Sequence, residues 1–379
     1  MTSSLPLPVK LVINTAQLDV AIQGMLGLSA IALDTESNSR HHYPEQICLI
    51  QIATCNEVQV IDTITLKELE PLRKVLADDS IMKVVHGADY DIRCLDRHYG
   101  FHISNLYDTY IAARFAGIIK VGLAALIKDL LGVSIIKSKQ LQIADWGRRP
   151  LSKDAIDYAS TDVLHLFALQ KILNQRLQAL GRTTWVAEEC ARLEGVRYTP
   201  PDLETAYLSV KGAENLDGRG FAILRSLFLF REGEARHQHR PPFFVMPDAA
   251  LISLSTSPTT ALSAVPGLGR GVGLQRFRQG LQQALRDGLA APLIQTPAVV
   301  STGLLSPEQQ HRLGRLKIWR ASLGATLSLD PALLWPTASL ERLAKAPDTF
   351  GVEITSSNIR RWQRDQFASS LHGYLKSNM

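Results

Sequence analysis

The sequence predicts an α/β domain that is followed by an all-helical region. Five short apolar runs typical of buried strands occur within the first 86 residues, and helix-period patterns lie between and after them. After residue 207 no convincing strand pattern remains. The stretch VRYTPPDLETAY (196–207) has a Pro pair and no clear period, so it is the first predicted domain boundary.

The order of the elements indicates a mostly antiparallel opening and at least one βαβ crossover, because one predicted helix lies between the fourth and fifth strands. The predicted strands are KLVI (10–13), AIAL (30–33), ICLIQIAT (47–54), VQVID (58–62) and IMKVVH (81–86). The predicted helices are TLKELEPLRKVLAD (65–78) and the segments at about 88–97, 108–116, 121–131 and 152–178.

Length and composition are those of an ordinary globular protein. The 379 residues, 46% of them hydrophobic and 20% charged, suffice for about two or three domains with a sizeable core. A net charge of +5 permits a nucleic-acid partner without demonstrating one. Four scattered cysteines argue against a disulfide framework or a zinc site. With no transmembrane run and no signal-peptide pattern, we expect a cytoplasmic protein with no membrane partner.

Two acidic residues directly follow the predicted strand at 30–33. Strand side chains alternate, so Asp34 and Glu36 point to one side and Thr35 points to the other. A buried strand is a costly place for two adjacent carboxylates. For the tripeptide DTE alone, a solvated strand end is the simplest interpretation. The case for a functional site therefore depends on other acids that point inward.

The helix predicted at 88–97 supplies one such acid. Ala88, Ile92 and Leu95 mark its buried stripe, since they are spaced by four and three residues. Asp91 lies on this stripe, whereas Asp89 does not and suits a helix N-terminus better. Asp91 is therefore predicted to point inward.

The helix predicted at 152–178 supplies another. Ser152 is a plausible N-cap, and Tyr158 and Asp162 are four residues apart on the face that the apolar residues mark as buried. Asp157 lies off that face. A helix with one partly buried tyrosine and one capped acid would explain this segment by itself.

Together, four inward acids without matching cations would destabilise the fold severely. Bound divalent metal resolves this, and all-oxygen ligands favour Mg²⁺ or Mn²⁺ over zinc. Two such ions, held by Asp34, Glu36, Asp91 and Asp162, suit phosphoryl transfer, since they can stabilise the attacking and leaving oxygens. Tyr158, with a phenol pKa of about 10, stays protonated, so it is a poor lone base but can orient the attacking water.

Five motifs carry a family resemblance over roughly residues 10–197. They are DTE (34–36), HGADYDI (86–92), LYDTY (106–110), IADWGRRPLS (143–152) and YASTD (158–162). Their order and spacing resemble ribonuclease D and its eukaryotic exosome-associated relatives. These are 3′-5′ exonucleases of the DEDD superfamily, in the branch with a tyrosine four residues before the last aspartate.

The resemblance implies a ribonuclease-H-like fold, with a mixed five-stranded sheet and flanking helices. It implies that the four acids hold two divalent ions and that Tyr158 positions the attacking water. Ser37 departs from the family pattern, which often has an aromatic residue directly after DTE that can pack against the terminal base. With all four acids and the tyrosine present, the sequence gives no sign of an inactive enzyme.

The helical region resembles the modules that follow the nuclease in ribonuclease D. Residues 211–290 look like an HRDC domain, a small helical nucleic-acid-binding module. Residues 306–376 fit a second, weaker copy. The predicted layout is an exonuclease domain at 1–197, a linker at 198–208, an HRDC domain at 209–291, a linker at 292–305 and a second HRDC-like domain at 306–379.

Several polar residues have competing interpretations. Asp108 is read first as the N-cap of the next helix and second as a substrate or supporting residue. Arg148 and Arg149 could hold backbone phosphates, although a solvated loop is about as common. Arg231 and Arg236 belong to a basic run that is either a phosphate-facing surface or a solvated face. The other members of that run are His237, His239 and Arg240.

The leading hypothesis is a metal-dependent 3′-5′ exoribonuclease that releases nucleoside 5′-monophosphates. Its substrate would be single-stranded or structured RNA with a free 3′ end, such as a tRNA precursor, and tethered helical modules would bind that RNA. No obligatory protein partner is implied. One alternative is a DNA 3′-5′ exonuclease, since the same acids serve proofreading domains. The other is a non-catalytic nucleic-acid-binding scaffold, against which the complete acid set argues.

Overall fold

The structure is a computed structural model. It describes residues 7–135, 138–268, 272–295 and 305–377, with the backbone alone at 272–274. The predicted linker at 292–305 lies mostly outside the described residues. The chain divides into two compact units. Unit 1 contains residues 1–36, 47–198 and 304–379, and unit 2 contains residues 37–46 and 199–303.

A mixed sheet of six strands lies at the centre of unit 1. The strands are β1 (Val9–Val12), β2 (Ala30–Ser37), β3 (Ile47–Ala53), β4 (Val58–Asp62), β5 (Met82–Val85) and β6 (Leu106–Asp108), in the order β1-β4-β3-β2-β5-β6. Strands β3 and β4 run antiparallel, whereas β1 with β4, β2 with β5 and β5 with β6 run parallel. The prediction of five strands is wrong, because the three-residue β6 is too short to show a strand period.

Nine helices belong to unit 1 before residue 199, among the residues that the structure describes. They are α1 (Thr15–Met25), α2 (Pro71–Leu76), α3 (Asp89–Tyr99), α4 (Thr109–Phe115), α5 (Leu123–Leu126), α6 (Lys139–Gln142), α7 (Lys153–Leu164), α8 (Leu166–Ala179) and α9 (Thr183–Glu194). A π-helical turn continues α5 through Ile127–Leu131. The helix predicted at 65–78 is shorter, since it begins at Pro71, and the one predicted at 152–178 is divided at His165.

The sequence reading omitted α1, although its signal is present. The Asn14 side chain caps the helix by accepting a hydrogen bond from the backbone N–H of Gln17. Its buried residues are Leu18, Ala21, Ile22 and Met25, spaced as one helical face.

Beyond the segment 37–46, the regular structure in the described part of unit 2 is helical. Its helices are α10 (Leu203–Ala206), α11 (Gly218–His237), α12 (Pro242–Val245), α13 (Asp248–Thr256) and α14 (Val272–Ala290). The long helix α11 packs against both α13 and α14 and contributes much of a separate apolar core. The segment 37–46 is held to this unit by Tyr43, whose hydroxyl donates to the Glu232 carboxylate of α11.

The remaining helices belong to unit 1. They are α15 (Pro307–Leu327), α16 (Pro331–Leu334), α17 (Thr337–Lys345), α18 (Phe350–Glu353) and α19 (Arg361–Lys376). Their apolar residues belong to the same core as the sheet. The ring of Trp362 stacks on Trp185 of α9 at a centroid distance of 4.8 Å, and its edge meets Phe115 at 5.3 Å. Within the described residues, none of the helices has both the length and the apolar character that a membrane crossing requires.

Candidate active site

The acidic residues predicted to form a site meet where β2 ends. Strands β2, β5 and β6 run parallel, so their carboxyl ends lie at one edge of the sheet. This is the edge at which open α/β sheets usually bind ligands. Asp34 and Glu36 lie in the second half of β2, Asp91 in the first turn of α3, which follows β5, and Asp162 near the end of α7.

Electrostatics shows that these four carboxylates are close neighbours. Burial, and then repulsion from Asp91, Asp162 and Glu36, raises the pKa of Asp34 well above its ordinary value. Desolvation and repulsion from the neighbouring acids both disfavour the charged form of Asp34, so a cation bound beside it would relieve an electrostatic cost.

The helix stripes select the inward acids as predicted. Asp91 is partly buried, whereas Asp89 is exposed and paired with Arg93 at 2.9 Å. Asp162 is only 7% exposed, whereas Asp157 on the same helix is exposed. In each helix, the acid on the apolar stripe is the one that the fold turns toward β2.

Thr35, which alternation along β2 predicts to point to the other side from Asp34 and Glu36, contacts a different acid of the cluster. Its hydroxyl donates a hydrogen bond to Oδ1 of Asp91. Strand β5 lies next to β2, so the helix that follows β5 brings Asp91 within reach of Thr35. Burial raises the pKa of Asp91 to about 6, while the Thr35 hydrogen bond opposes that rise. The contact holds one carboxylate oxygen of Asp91 in place.

Asp108 is the N-cap of α4, as predicted. Its carboxylate accepts hydrogen bonds from the backbone N–H groups of Tyr110 and Ile111, at 2.8 and 3.3 Å. It also accepts from Gly87 at 2.9 Å and from Ala88 at 3.1 Å. These last two residues form the turn that leads into α3. Asp108 therefore joins the start of α4 to the start of the helix that carries Asp91.

Tyr158 completes the cluster from α7. Its ring lies 6.0 Å from that of Trp146, centroid to centroid. Burial raises the pKa of Tyr158 to about 12, with further contributions from Asp162 and Glu36, and a hydrogen bond with Gln142 opposes the shift. At neutral pH the phenol is therefore protonated and can donate a hydrogen bond.

A cavity of about 240 Å³ opens beside Tyr158 and Asp162. Its other lining residues are Ser138, Leu141, Asp154, Asp157 and Thr161. Local sequence patterns predicted the acids and the tyrosine. They did not predict the contacts that Thr35, Gln142 and Trp146 make with these residues, because each contact joins two different segments of the chain. Trp146 itself lies in the motif IADWGRRPLS (143–152).

The donor set fits a hard divalent cation, because every donor in the cluster is a carboxylate. Across the described residues, no three or more histidine, cysteine, aspartate or glutamate side chains are grouped as a ready-made metal site. The chemistry of the cluster, more than a preformed geometry, is what fits it to metal.

The four predicted nucleic-acid contacts have different environments. Arg148 is exposed. All five N–H groups of Arg149 donate to protein acceptors: the Asp62 carboxylate takes two at 2.6 Å, and the carbonyls of Cys48, Trp146 and Arg148 take the others. A phosphate contact would require Arg149 to give up one of these bonds.

The two predicted arginines of α11 also differ in how exposed they are. Arg231 is 6% exposed and donates to Asp248 at 2.7 Å, so it holds unit 2 together from inside. Arg236 is 43% exposed in its side chain and lies over the ring of Tyr43 at 5.5 Å. Of this pair, only Arg236 can be reached by a ligand from solvent.

Comparisons with known proteins agree with this geometry. A family model described as 3′-5′ exonuclease matches residues 9–178, and an HRDC domain model matches residues 220–277. Ribonuclease D of Granulibacter bethesdensis is 31% identical over 343 residues, which cover 89% of this chain and 85% of that protein. Ribonuclease D of Gluconacetobacter diazotrophicus is 30% identical over 352 residues, with coverage of 89% and 86%.

A solved structure shares the fold of this chain. The crystal structure of Escherichia coli RNase D superposes with a TM-score of 0.76 over 98% of this chain and 99% of that one, at 23% sequence identity. The chain combines a sheet with an acidic edge, matches to the exonuclease and HRDC family models, and relatives that align over most of their length. This chain belongs to the ribonuclease D family of 3′-5′ exonucleases.

Proposed function

We propose that this chain shortens RNA from its 3′ end by metal-dependent hydrolysis, and that Asp34, Glu36, Asp91, Tyr158 and Asp162 form its active site. Membership of the ribonuclease D family makes it a 3′-5′ exoribonuclease. The residue assignment is our own. It is supported chiefly by one observation, the cluster of four buried or partly buried carboxylates at the edge of the sheet, three of which repel the charge of Asp34.

In this proposal the four acids hold two divalent ions, Mg²⁺ or Mn²⁺. When bound, such ions supply charge stabilisation for the phosphodiester and a more acidic water. Thr35 and Asp108 serve as positioning residues, because one bonds Asp91 directly and the other fixes the turn before α3.

Tyr158 donates a hydrogen bond and does not act as a base. A phenol whose pKa is about 12 keeps its proton throughout the neutral range. Its hydroxyl can therefore orient an attacking water through its hydrogen bond. The cavity beside Tyr158 leaves the phenol accessible from solvent.

The substrate class we propose is single-stranded or structured RNA with a free 3′ end, including tRNA precursors, with nucleoside 5′-monophosphates as products. The E. coli relative is described as an exoribonuclease involved in structured RNA processing. We propose an exonuclease domain at 1–197 and an HRDC domain at 209–291, joined by a linker at 198–208. A second HRDC-like group of helices at 306–379 would follow a linker at 292–305 and pack into the core of the exonuclease domain.

The test uses 5′-labelled single-stranded RNA and DNA of the same sequence, with Mg²⁺, Mn²⁺ or EDTA, on a denaturing gel. Wild type should give a metal-dependent ladder that shortens from the 3′ end. Asp91→Asn and Asp162→Asn should abolish the ladder. Asp89→Asn is the matched control on the same helix as Asp91, since its side chain is exposed and outside the cluster.

The alternatives give different gels. Shortening of DNA alone would favour a DNA exonuclease. Binding with intact substrate in every lane would favour a scaffold. An Asp162→Asn variant as active as wild type would overturn the residue assignment.

A further inference from the structure

Two aromatic side chains of α12 project into solvent next to each other. Phe243 and Phe244 are each 54% exposed, and their ring centroids are 4.5 Å apart at an angle of 40°. Neither belongs to the apolar core of unit 2. Of the two residues that follow them, Val245 is buried and Met246 is part of that core. A paired, exposed aromatic surface of this kind usually marks a binding site.

Basic residues precede this aromatic pair in the chain, and one of them contacts it. Arg240 lies over the ring of Phe244, with its Cζ 5.3 Å from the centroid. Arg236 and His237 at the end of α11 are exposed, as is His239 after it. Exposed aromatic rings beside arginine side chains are the combination that proteins use for single-stranded nucleic acid, since bases stack on the rings and cations hold the backbone.

The acids near this surface are engaged in other contacts, and one of them, Glu232, also forms an ion pair with Arg236 at 3.6 Å. The Glu234 carboxylate accepts from the side chain of Gln238, and Asp248 is paired with Arg231. Glu232 is nearly buried and accepts from the Tyr43 hydroxyl. The exposed face at 236–244 therefore presents cations and aromatic rings together, which suits a polyanion with planar groups better than an apolar protein surface.

We propose that Phe243 and Phe244 form a stacking platform for the bases of single-stranded RNA, with Arg240 and Arg236 holding the adjacent phosphates. This deepens the proposed function by locating an RNA contact in unit 2, and it rests on RNA being the substrate. The platform reads no sequence, because every base offers a π-face.

The sequence alone conceals this platform. PFFVM reads as an apolar run of the kind that enters a core, and its last two residues do so. Only the exposure of the two phenylalanines separates them from that core.

The experiment measures binding of the full-length chain to fluorescent oligoadenylate of about 12 nucleotides, in EDTA so that no cleavage occurs. The double variant Phe243→Leu/Phe244→Leu keeps the apolar surface but removes both π-faces. We expect it to bind about tenfold more weakly or worse. Phe243→Tyr/Phe244→Tyr keeps the rings and should bind like wild type. Ile318→Ala, at an exposed apolar position of α15, is the control and should change nothing.

A spectroscopic readout tests stacking directly. All five tryptophans are at most 7% exposed and lie in unit 1. Phe244→Trp therefore places a single exposed indole at the platform, and its emission should be quenched when oligoadenylate binds. A matching DNA oligonucleotide separates RNA preference from stacking, because a platform that reads only base faces should quench with both.

The possible outcomes distinguish failure of the stacking platform from failure of the proposed nuclease function. Unchanged affinity of the double leucine variant would overturn the platform, and the surface would then fit an apolar protein partner. Weaker binding by that variant with no cleavage by wild type would support the platform and overturn the nuclease. Cleavage by wild type together with unchanged binding by the double leucine variant would support the nuclease and overturn the platform.

Discussion

Thr35 lies between the two acids of β2 and donates its hydroxyl hydrogen to Asp91. Valine has nearly the same shape but no donor, so Thr35→Val should leave the Asp91 carboxylate free to rotate. We expect kcat and Mn²⁺ affinity each to fall by about 10- to 100-fold, with little change in KM. Steady-state kinetics and calorimetric titration of Mn²⁺ would measure this.

Thr35→Ser is the matched control, because serine keeps the hydroxyl. It should retain most of the activity and metal affinity. If the valine variant performed as well as the serine variant, Thr35 would have no positioning role.

Arg148 and Arg149 are neighbours in sequence with very different environments. Asp62, the partner of Arg149, is 1% exposed. Arg149→Ala would leave that carboxylate buried and unpaired, which should lower the free energy of unfolding by about 3–5 kcal/mol. Arg148→Ala should change it by less than about 0.5 kcal/mol. Urea unfolding followed by tryptophan fluorescence reports unit 1, because all five tryptophans lie there.

The Arg149–Asp62 ion pair should also affect how the stability of the fold depends on pH. Burial alone would raise the pKa of Asp62, but hydrogen bonds from Arg149 and Thr65 outweigh it and hold the pKa below its ordinary value. A carboxyl with a lowered folded-state pKa stabilises the fold above its unfolded pKa of about 4, and that stability is lost as the pH falls through the folded value. The difference in free energy of unfolding between wild type and Arg149→Ala should therefore become smaller in acid. A gap that stayed constant down to the lowest pH would contradict this linkage.

At the scale of elements, helix α19 is docked to α9 by a polar and an aromatic contact. Glu188 accepts from the backbone N–H groups of Arg361 and Trp362, at 2.6 and 3.1 Å, which satisfies the start of the helix. The Trp362 ring, 4% exposed, stacks on Trp185. Trp362→Ala should cost about 3–5 kcal/mol in the unfolding of unit 1, because it leaves a cavity between two helices.

Ile318→Ala is the comparison for this variant. Ile318 also lies in the C-terminal helices but is 62% exposed, so its truncation should cost little. Equal urea midpoints for the two variants would mean that the aromatic stack contributes nothing to the stability of unit 1.

The sequence predicts these elements unevenly, for physical reasons. All five predicted strands exist, because buried strands have a local apolar signal. The sixth, β6, has only three residues and depends on pairing with β5. Likewise, helix periodicity separates Asp91 from Asp89, whereas the Thr35–Asp91 and Asp108–Gly87 contacts join residues far apart in sequence. No local pattern encodes such contacts.

At the scale of the whole molecule, the sequence suggested a tethered C-terminal module, while the fold builds residues 305–377 into the core of unit 1. Arg182 shows how. Its buried guanidinium donates to the Phe115 carbonyl at 2.9 Å and to the Leu327 carbonyl at 2.6 Å. Arg114 also reaches Asp330 at 3.3 Å. Contacts that span more than 140 residues of sequence cannot be inferred from composition or period.

This integration predicts the behaviour of a chain that ends at residue 303. Removing the C-terminal helices would expose Phe115 and Trp185 and take away one of the two carbonyls that accept from Arg182. We expect the shortened chain to lose cooperative unfolding of unit 1, to bind a hydrophobic dye and to lose cleavage, because unit 1 also contains the acidic cluster. A tethered module would instead leave a stable, cooperatively folded nuclease that merely binds RNA more weakly. Far- and near-UV circular dichroism with urea unfolding distinguishes the two outcomes before any activity is assayed.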